Sequence, residues 1–181
     1  MAAVVDQRQR RVPVSVRRLS RAIDRALAAV GRPAGVVEVA IVDDGEIRAL
    51  NAAYRGVRRR TDVLAFPLET PEAGPLVGQL VISADAAARQ ARQLRVPIAL
   101  ELDLLATHGT LHLVGWDDRD PVEADLMHRR AREILGDTPD RLWHGLLSPP
   151  HGRRTRPLQR SRRPSRTGHP RPKRAAARSL Q

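Results

Sequence analysis

The chain contains no cysteine. A disulfide framework, a cysteine-ligated zinc finger, an iron–sulfur cluster and a thiol nucleophile are therefore excluded. Aromatic residues are nearly as scarce, with one Phe, one Tyr and two Trp among 181 residues. A core must then be built from Leu, Val, Ala and Ile. Apolar residues make up 41%, enough for one ordinary domain, and the length is too short for two comfortable ones. No run approaches eighteen apolar residues, so no transmembrane helix and no membrane partner are expected. The opening MAAVVDQRQRRVPVSV has no apolar stretch suited to a secretory signal and carries Asp6. The expectation is a soluble cytoplasmic protein.

Lysine is almost missing too: Lys173 stands alone against 31 arginines, a pattern of GC-rich coding more than of a selected guanidinium surface. The net charge of +12 is very unevenly placed. Residues 148–181 hold eleven basic and no acidic side chains, whereas residues 1–147 hold 21 basic and 20 acidic ones. The tail also carries six of the fourteen prolines, and its sparse apolar residues follow no period. Such a segment cannot offset its ordering entropy, so 148–181 is expected to be disordered. It reads either as a polybasic arm adding salt-dependent phosphate affinity or as a dispensable extension.

Residues 1–147 alternate between strand and helix patterns. Val12-Pro13-Val14-Ser15-Val16 alternates like an edge strand, where proline is tolerable. Val16 to Val30 places Leu19, Ile23, Ala26, Leu27 and Val30 on one helical face, and Gly31-Arg32-Pro33 stops it. Val36 to Val42 is β-branched almost throughout, the mark of a strand covered on both faces. Asp44 can cap a short helix through Tyr54. Asp62 to Phe66 and Leu76 to Ser83 read as strands, and Ala84 to Leu94, Ile98 to Gly115 and Pro121 to Leu135 as helices. About four strands and five helices in mixed order predict an α+β domain, with a mixed sheet packed against helices.

Within ALELDLLATHGTLHLVGWDD, His108 and His112 stand four residues apart, so both imidazoles leave one face of the helix about one turn from each other. Two neutral histidines so placed can grip one zinc ion, and they can equally be hydrogen-bonded histidines of a buried helix. Gly115 can end the helix in a left-handed turn, after which Asp117 and Asp118 follow. A third ligand from that turn completes a three-ligand site with a position left for water, the catalytic arrangement. Zinc peptidases of the HExxH kind need a glutamate after the first histidine; here that position is Gly109, and a peptidase loses its proton-transfer group.

HGTLHLVGWDD resembles the signature of the YbeY family of single-strand-specific endoribonucleases, H-G-x-L-H-L-x-G-[YFW]-D-H. The block Leu50-Asn51-Ala52-Ala53-Tyr54-Arg55-Gly56, then Thr61 to Pro67, is similar to that family's LNxxYRG…TDVLSFP. Gly78 to Ser83 is similar to its GDIVIS strand, and Glu123, Met127 and Arg132 to Leu135 resemble its last helix. The likeness covers roughly residues 10–136. It implies a zincin-like domain at 1–147 with the metal site on a central helix. It also implies one Zn2+ per chain, no small-molecule cofactor, and cleavage of single-stranded RNA in ribosomal RNA processing. The 3′ end of 16S rRNA, ribosome quality control and contact with the small ribosomal subunit are part of the same implication.

His108 and His112 match the family's first two zinc ligands. Asp118 takes the place of the third, a histidine there, and Asp117 matches the aspartate before it. A carboxylate still binds zinc, so His108, His112 and Asp118 make an acceptable set. Its negative charge weakens the ion as a Lewis acid and suits harder ions such as Mn2+ better. The competing reading makes Asp118 a helix N-cap before Pro121. Arg55 matches the arginine the family uses at its active site, implying a catalytic set of Arg55, His108 and His112 in which the guanidinium holds substrate phosphate. Arg58, Arg59 and Arg60 either extend that cationic surface or form a solvated loop. Tyr54 and Trp116 either stack bases or fill the core. Thr61-Asp62 either orients Arg55 or caps a turn. A non-catalytic ribosome-assembly factor with a structural metal is the alternative function.

Overall fold

The protein is described by a computed structural model over residues 3–68 and 75–147. The expectation for the tail at 148–181 lies outside the described residues. In chain order the elements are β1 (Ala3–Gln7), α1 (Val16–Ala29), β2 (Val36–Val42), α2 (Asp44–Arg55), β3 (Val63–Pro67), β4 (Leu76–Ser83), α3 (Ala84–Leu94), α4 (Ile98–Leu113), α5 (Pro121–Leu135) and α6 (Asp140–Leu147). The α+β class holds, with four strands and six helices among the described residues.

The strands form one sheet in the order β1-β2-β4-β3. β1 and β4 both run parallel to β2, and β3 runs antiparallel to β4. Strand side chains alternate between faces, and the core divides accordingly. Val37, Val39, Ile41, Leu80 and Ile82 point to the face covered by α1, α3 and α4. Val42, Leu64 and Val81 point to the other face, where Ile47 of α2 meets them. β2 buries Val37, Val39 and Ile41 on one face and Val42 on the other, while Glu38 on that second face is exposed, so the covering its largely β-branched run predicts is complete on one side only.

α4 lies between two cores. Leu102, Leu105, Ala106 and Leu113 pack toward the sheet. Leu104 and Leu111 pack away from it, against Met127 and Ala131 of α5 and Leu142 and Trp143 of α6. Each buried leucine is stabilised by about 1.5–3 kcal/mol relative to exposure. That easily offsets the roughly 1 kcal/mol that Gly109 costs in a helix interior. The glycine is there for clearance: a Cβ at position 109 would meet Leu80 Cδ2 at 2.8 Å and Val63 Cγ2 at 3.2 Å.

Three local expectations are corrected. Residues 12–15 form no strand, although Val12 and Val14 do pack on the core. Gln9 takes the ladder's place, its Nε2 donating to Val12 O at 2.9 Å and its Oε1 accepting from Val12 N at 2.9 Å. The strand at this end of the chain is β1 instead. The cap of α2 is Asp43, which accepts from Glu46 N at 2.9 Å, and Asp44 is the first helical residue. α4 stops at Leu113.

Candidate metal centre

The end of α4 builds the site. Gly115 has φ 96°, in the left-handed region where glycine carries no Cβ penalty. Its amide donates to His112 O and that of Trp116 to Leu111 O, both at 3.1 Å, the paired bonds of a Schellman cap. This cap turns the Trp116 carbonyl back toward the helix, where His112 Nδ1 donates to it at 2.9 Å. With the Nδ1 proton so engaged, the Nε2 lone pair of His112 points into the site.

His108 and His112 meet edge to face, ring centroids 4.6 Å apart and planes at 90°. Their Nε2 atoms are 3.1 Å apart. Asp118 Oδ2 lies 3.7 Å from His108 Nε2 and 3.8 Å from His112 Nε2. Donors on a tetrahedral ion with bonds of about 2.0–2.1 Å stand about 3.3–3.4 Å apart. The observed triangle departs from that by a few tenths of an ångström, so the residues present fit a zinc-sized cation. The side chains grade from core to solvent, His108 being 6% exposed, His112 25% and Asp118 30%. One face of the group is thus closed and the other open to a ligand. Burial, and next the neighbouring His108, push His112 below its ordinary value of 6.5. It is therefore neutral at pH 7, the form that binds metal.

Asp117 shapes the turn that delivers Asp118. Its Oδ1 accepts the amides of Asp118 at 2.8 Å and Arg119 at 3.1 Å. Its Oδ2 accepts from Arg119 Nε at 2.6 Å, the bond that chiefly holds its carboxyl below the usual range. The N-cap of α5 is Asp120, which accepts from Val122 N at 2.9 Å and Glu123 N at 3.4 Å. Asp118 is not that cap.

His108, His112 and Asp118 are thus brought together, and Arg55 is the last residue of α2. Its guanidinium is exposed and makes no hydrogen bond or ion pair with another described residue, and the same is true of Arg58. Arg60 is committed to Asp44 at 3.5 Å. Asn51 Nδ2 donates to Arg59 O at 2.8 Å and ties this loop to α2. Thr61-Asp62 caps a turn, Asp62 Oδ1 accepting from Val63 N at 2.8 Å. Tyr54 is largely exposed and packs on Phe66, with centroids 5.1 Å apart. Trp116 packs against the α3–α6 core.

Sequence reasoning passed over His128. Its ring lies on α5, stacked on that of His108 with centroids 6.2 Å apart and planes at 27°. No spacing in the chain links it to α4. The one available signal is its place beside Met127, the buried anchor of α5 on α4.

A histidine pair on a buried helix, closed by a carboxylate from the next turn, makes a group that could hold a metal ion in an α+β protein. The chain belongs to the YbeY family: the profile of that family, endoribonuclease YbeY, matches residues 4–138. Endoribonuclease YbeY of Anaeromyxobacter sp. is 46% identical over 121 residues, 66% of this chain and 63% of that protein. The chain therefore spans a little under two thirds of that relative's length. Endoribonuclease YbeY of Geobacter sulfurreducens is 35% identical over 137 residues, 74% of this chain and 91% of that protein. A solution structure of a Thermotoga maritima protein shares the fold, with TM-score 0.53 and 22% identity, over 80% of this chain and 91% of that one.

Proposed function

We propose that residues 1–147 form a metal-dependent endoribonuclease that cuts single-stranded RNA, with His108, His112 and Asp118 as the metal ligands and Arg55 as the phosphate clamp. The observation that carries this reading is the convergence of three donor atoms within 4.8 Å of one another at an open face. Zinc, one per chain, would supply Lewis acidity at the scissile phosphate and lower the pKa of water there. His108 and His112 offer neutral nitrogens, one of them oriented by the Trp116 carbonyl. Asp118 adds a carboxylate that brings the charge of the centre down by one. Arg55, with no competing carboxylate, is available for a bidentate contact to a phosphodiester, where its charge is complementary to the pentavalent transition state.

A glutamate base for peptide hydrolysis has no room at position 109, where even a methyl group would press on Leu80 and Val63. The biological setting proposed is ribosomal RNA processing in the cytoplasm, at the 3′ end of 16S rRNA and in ribosome quality control, with the small ribosomal subunit as partner. The tail at 148–181 is assigned as a basic arm that adds salt-dependent affinity.

The test joins metal analysis to cleavage. Purified full-length protein is expected to contain about one equivalent of zinc and to cut a single-stranded RNA while sparing a duplex, with cleavage abolished by a chelator and restored by Zn2+. Folded protein that carries zinc but cuts no RNA would support the assembly factor instead. Folded protein that binds no metal would overturn both readings.

A further inference from the structure

We infer that His128 is a further ligand of this metal centre, supplying a third imidazole nitrogen beside those of His108 and His112. The inference rests on the metal-centre reading above and extends it to a residue on a different helix.

The geometry carries it. Two imidazoles bound through nitrogen to one tetrahedral ion have ring centroids about 5 Å apart, given metal–nitrogen bonds of about 2.0–2.1 Å. The His108–His112 pair at 4.6 Å is already in that range. The His108–His128 pair at 6.2 Å stands about one ångström outside it. Ligation would therefore take a rotation of the half-buried His128 side chain by about that distance, with α5 held in the core by Met127 and Ala131. The triad leaves a fourth tetrahedral position, and zinc also tolerates five-coordination.

The chemical consequence is specific. With Asp118 alone closing the triad, the centre has two nitrogens and one oxygen, a set shared with harder ions. A third nitrogen moves it toward zinc and cobalt. It also divides the closing of the site between the exposed turn at Asp118 and the rigid helix at His128.

The test uses Co2+ as a spectroscopic probe in the full-length protein, with circular dichroism confirming the fold of each variant. His128→Ala is expected to shift the visible absorption of the cobalt-loaded protein and to weaken Co2+ binding at least tenfold. Asp118→Ala is expected to retain one Co2+ per chain, and Asp118→Ala/His128→Ala to retain none. His128→Gln separates lost packing from lost ligation, because it keeps bulk and should match His128→Ala. The inference is overturned if the spectrum of either His128 variant superimposes on that of the parent, or if Asp118→Ala alone empties the site. A parent protein that binds no Co2+ would instead overturn the metal-centre reading beneath it.

Discussion

Two helices that contribute to the proposed site are held in very different ways. In α4, twelve of sixteen residues are buried, His108 and Gly109 among them. In α2, only Ile47 and Asn51 of twelve residues are buried, and Arg55 ends the helix in solvent. α4 is fixed by packing on two faces, so its imidazoles are aimed before any ligand arrives. Arg55 is placed only by the helix end and the loop that Asn51 ties down. The difference matches what each group has to do. Ligands of one small ion must agree to a few tenths of an ångström, whereas a guanidinium following a flexible phosphodiester gains from freedom that burial would remove.

The largest test of this contrast is His112→Ala. Metal and folding are linked in α4, because an ion bound only by the native state stabilises it. The variant is expected to bind zinc more weakly and to melt at lower temperature. RNA cleavage should fall by more than the roughly 10–100-fold that the loss of an outer partner costs. Metal analysis, a thermal melt and a cleavage assay check it together. Unchanged metal content would show that α4 does not aim the ligands. Next in size is Gly109→Glu, which forces a carboxylate between α4 and β4. Overpacking and an uncompensated buried charge should together cost at least about 3 kcal/mol in denaturant unfolding. A variant as stable as the parent would mean that α4 is far less tightly held than its contacts with Leu80 and Val63 imply.

At the loose end the expectation reverses. Arg55→Ala should leave zinc content and melting temperature unchanged while lowering cleavage about 10–100-fold, the loss of one or two charge-assisted hydrogen bonds. A fall in melting temperature would contradict the placement of Arg55 outside the packed structure. Cleavage equal to the parent's would remove it from the site.

The same contrast explains what was legible in the sequence. The His108–His112 spacing, the β-branched run of β2 and the bounds of β4, α3 and α5 all follow from periodicities that packing enforces. The strand read at Val12–Val16 failed because alternation reports burial, which Val12 and Val14 do have, and not hydrogen bonding, which the Gln9 side chain supplies instead. β1 was missed because AVVDQ offers only two β-branched residues before polar ones. α6 was missed because its anchoring shows only in the folded chain, where it packs on α3 and Trp143 lies under Arg132 of α5. His128 was hidden for a related reason. Its neighbour His108 is twenty residues away, and only the packing of α5 on α4 closes that gap.

Glu101 gives the smallest but most selective test, because it asks what tight packing does to a charge. It lies seven residues before His108 on the same face of α4 and is 1% exposed, and its Oε2 has no hydrogen-bond partner. Burial, with Asp62 nearby adding to it, pushes its carboxyl up to about 8 from an ordinary 4.5. The sign follows from proton uptake. Between pH 4.5 and 8 the folded chain keeps a proton that the unfolded chain releases, so this group's contribution is fully present below 4.5 and is lost as pH rises toward 8. Glu101→Gln keeps the shape and removes the ionisation. The variant should therefore lose that slope, so its stability relative to the parent should rise from pH 5 to pH 8. Denaturant unfolding at pH 5 and pH 8 measures this. Parallel curves for parent and variant would mean that Glu101 reaches water, and that the packing around α4 opens at its first turn.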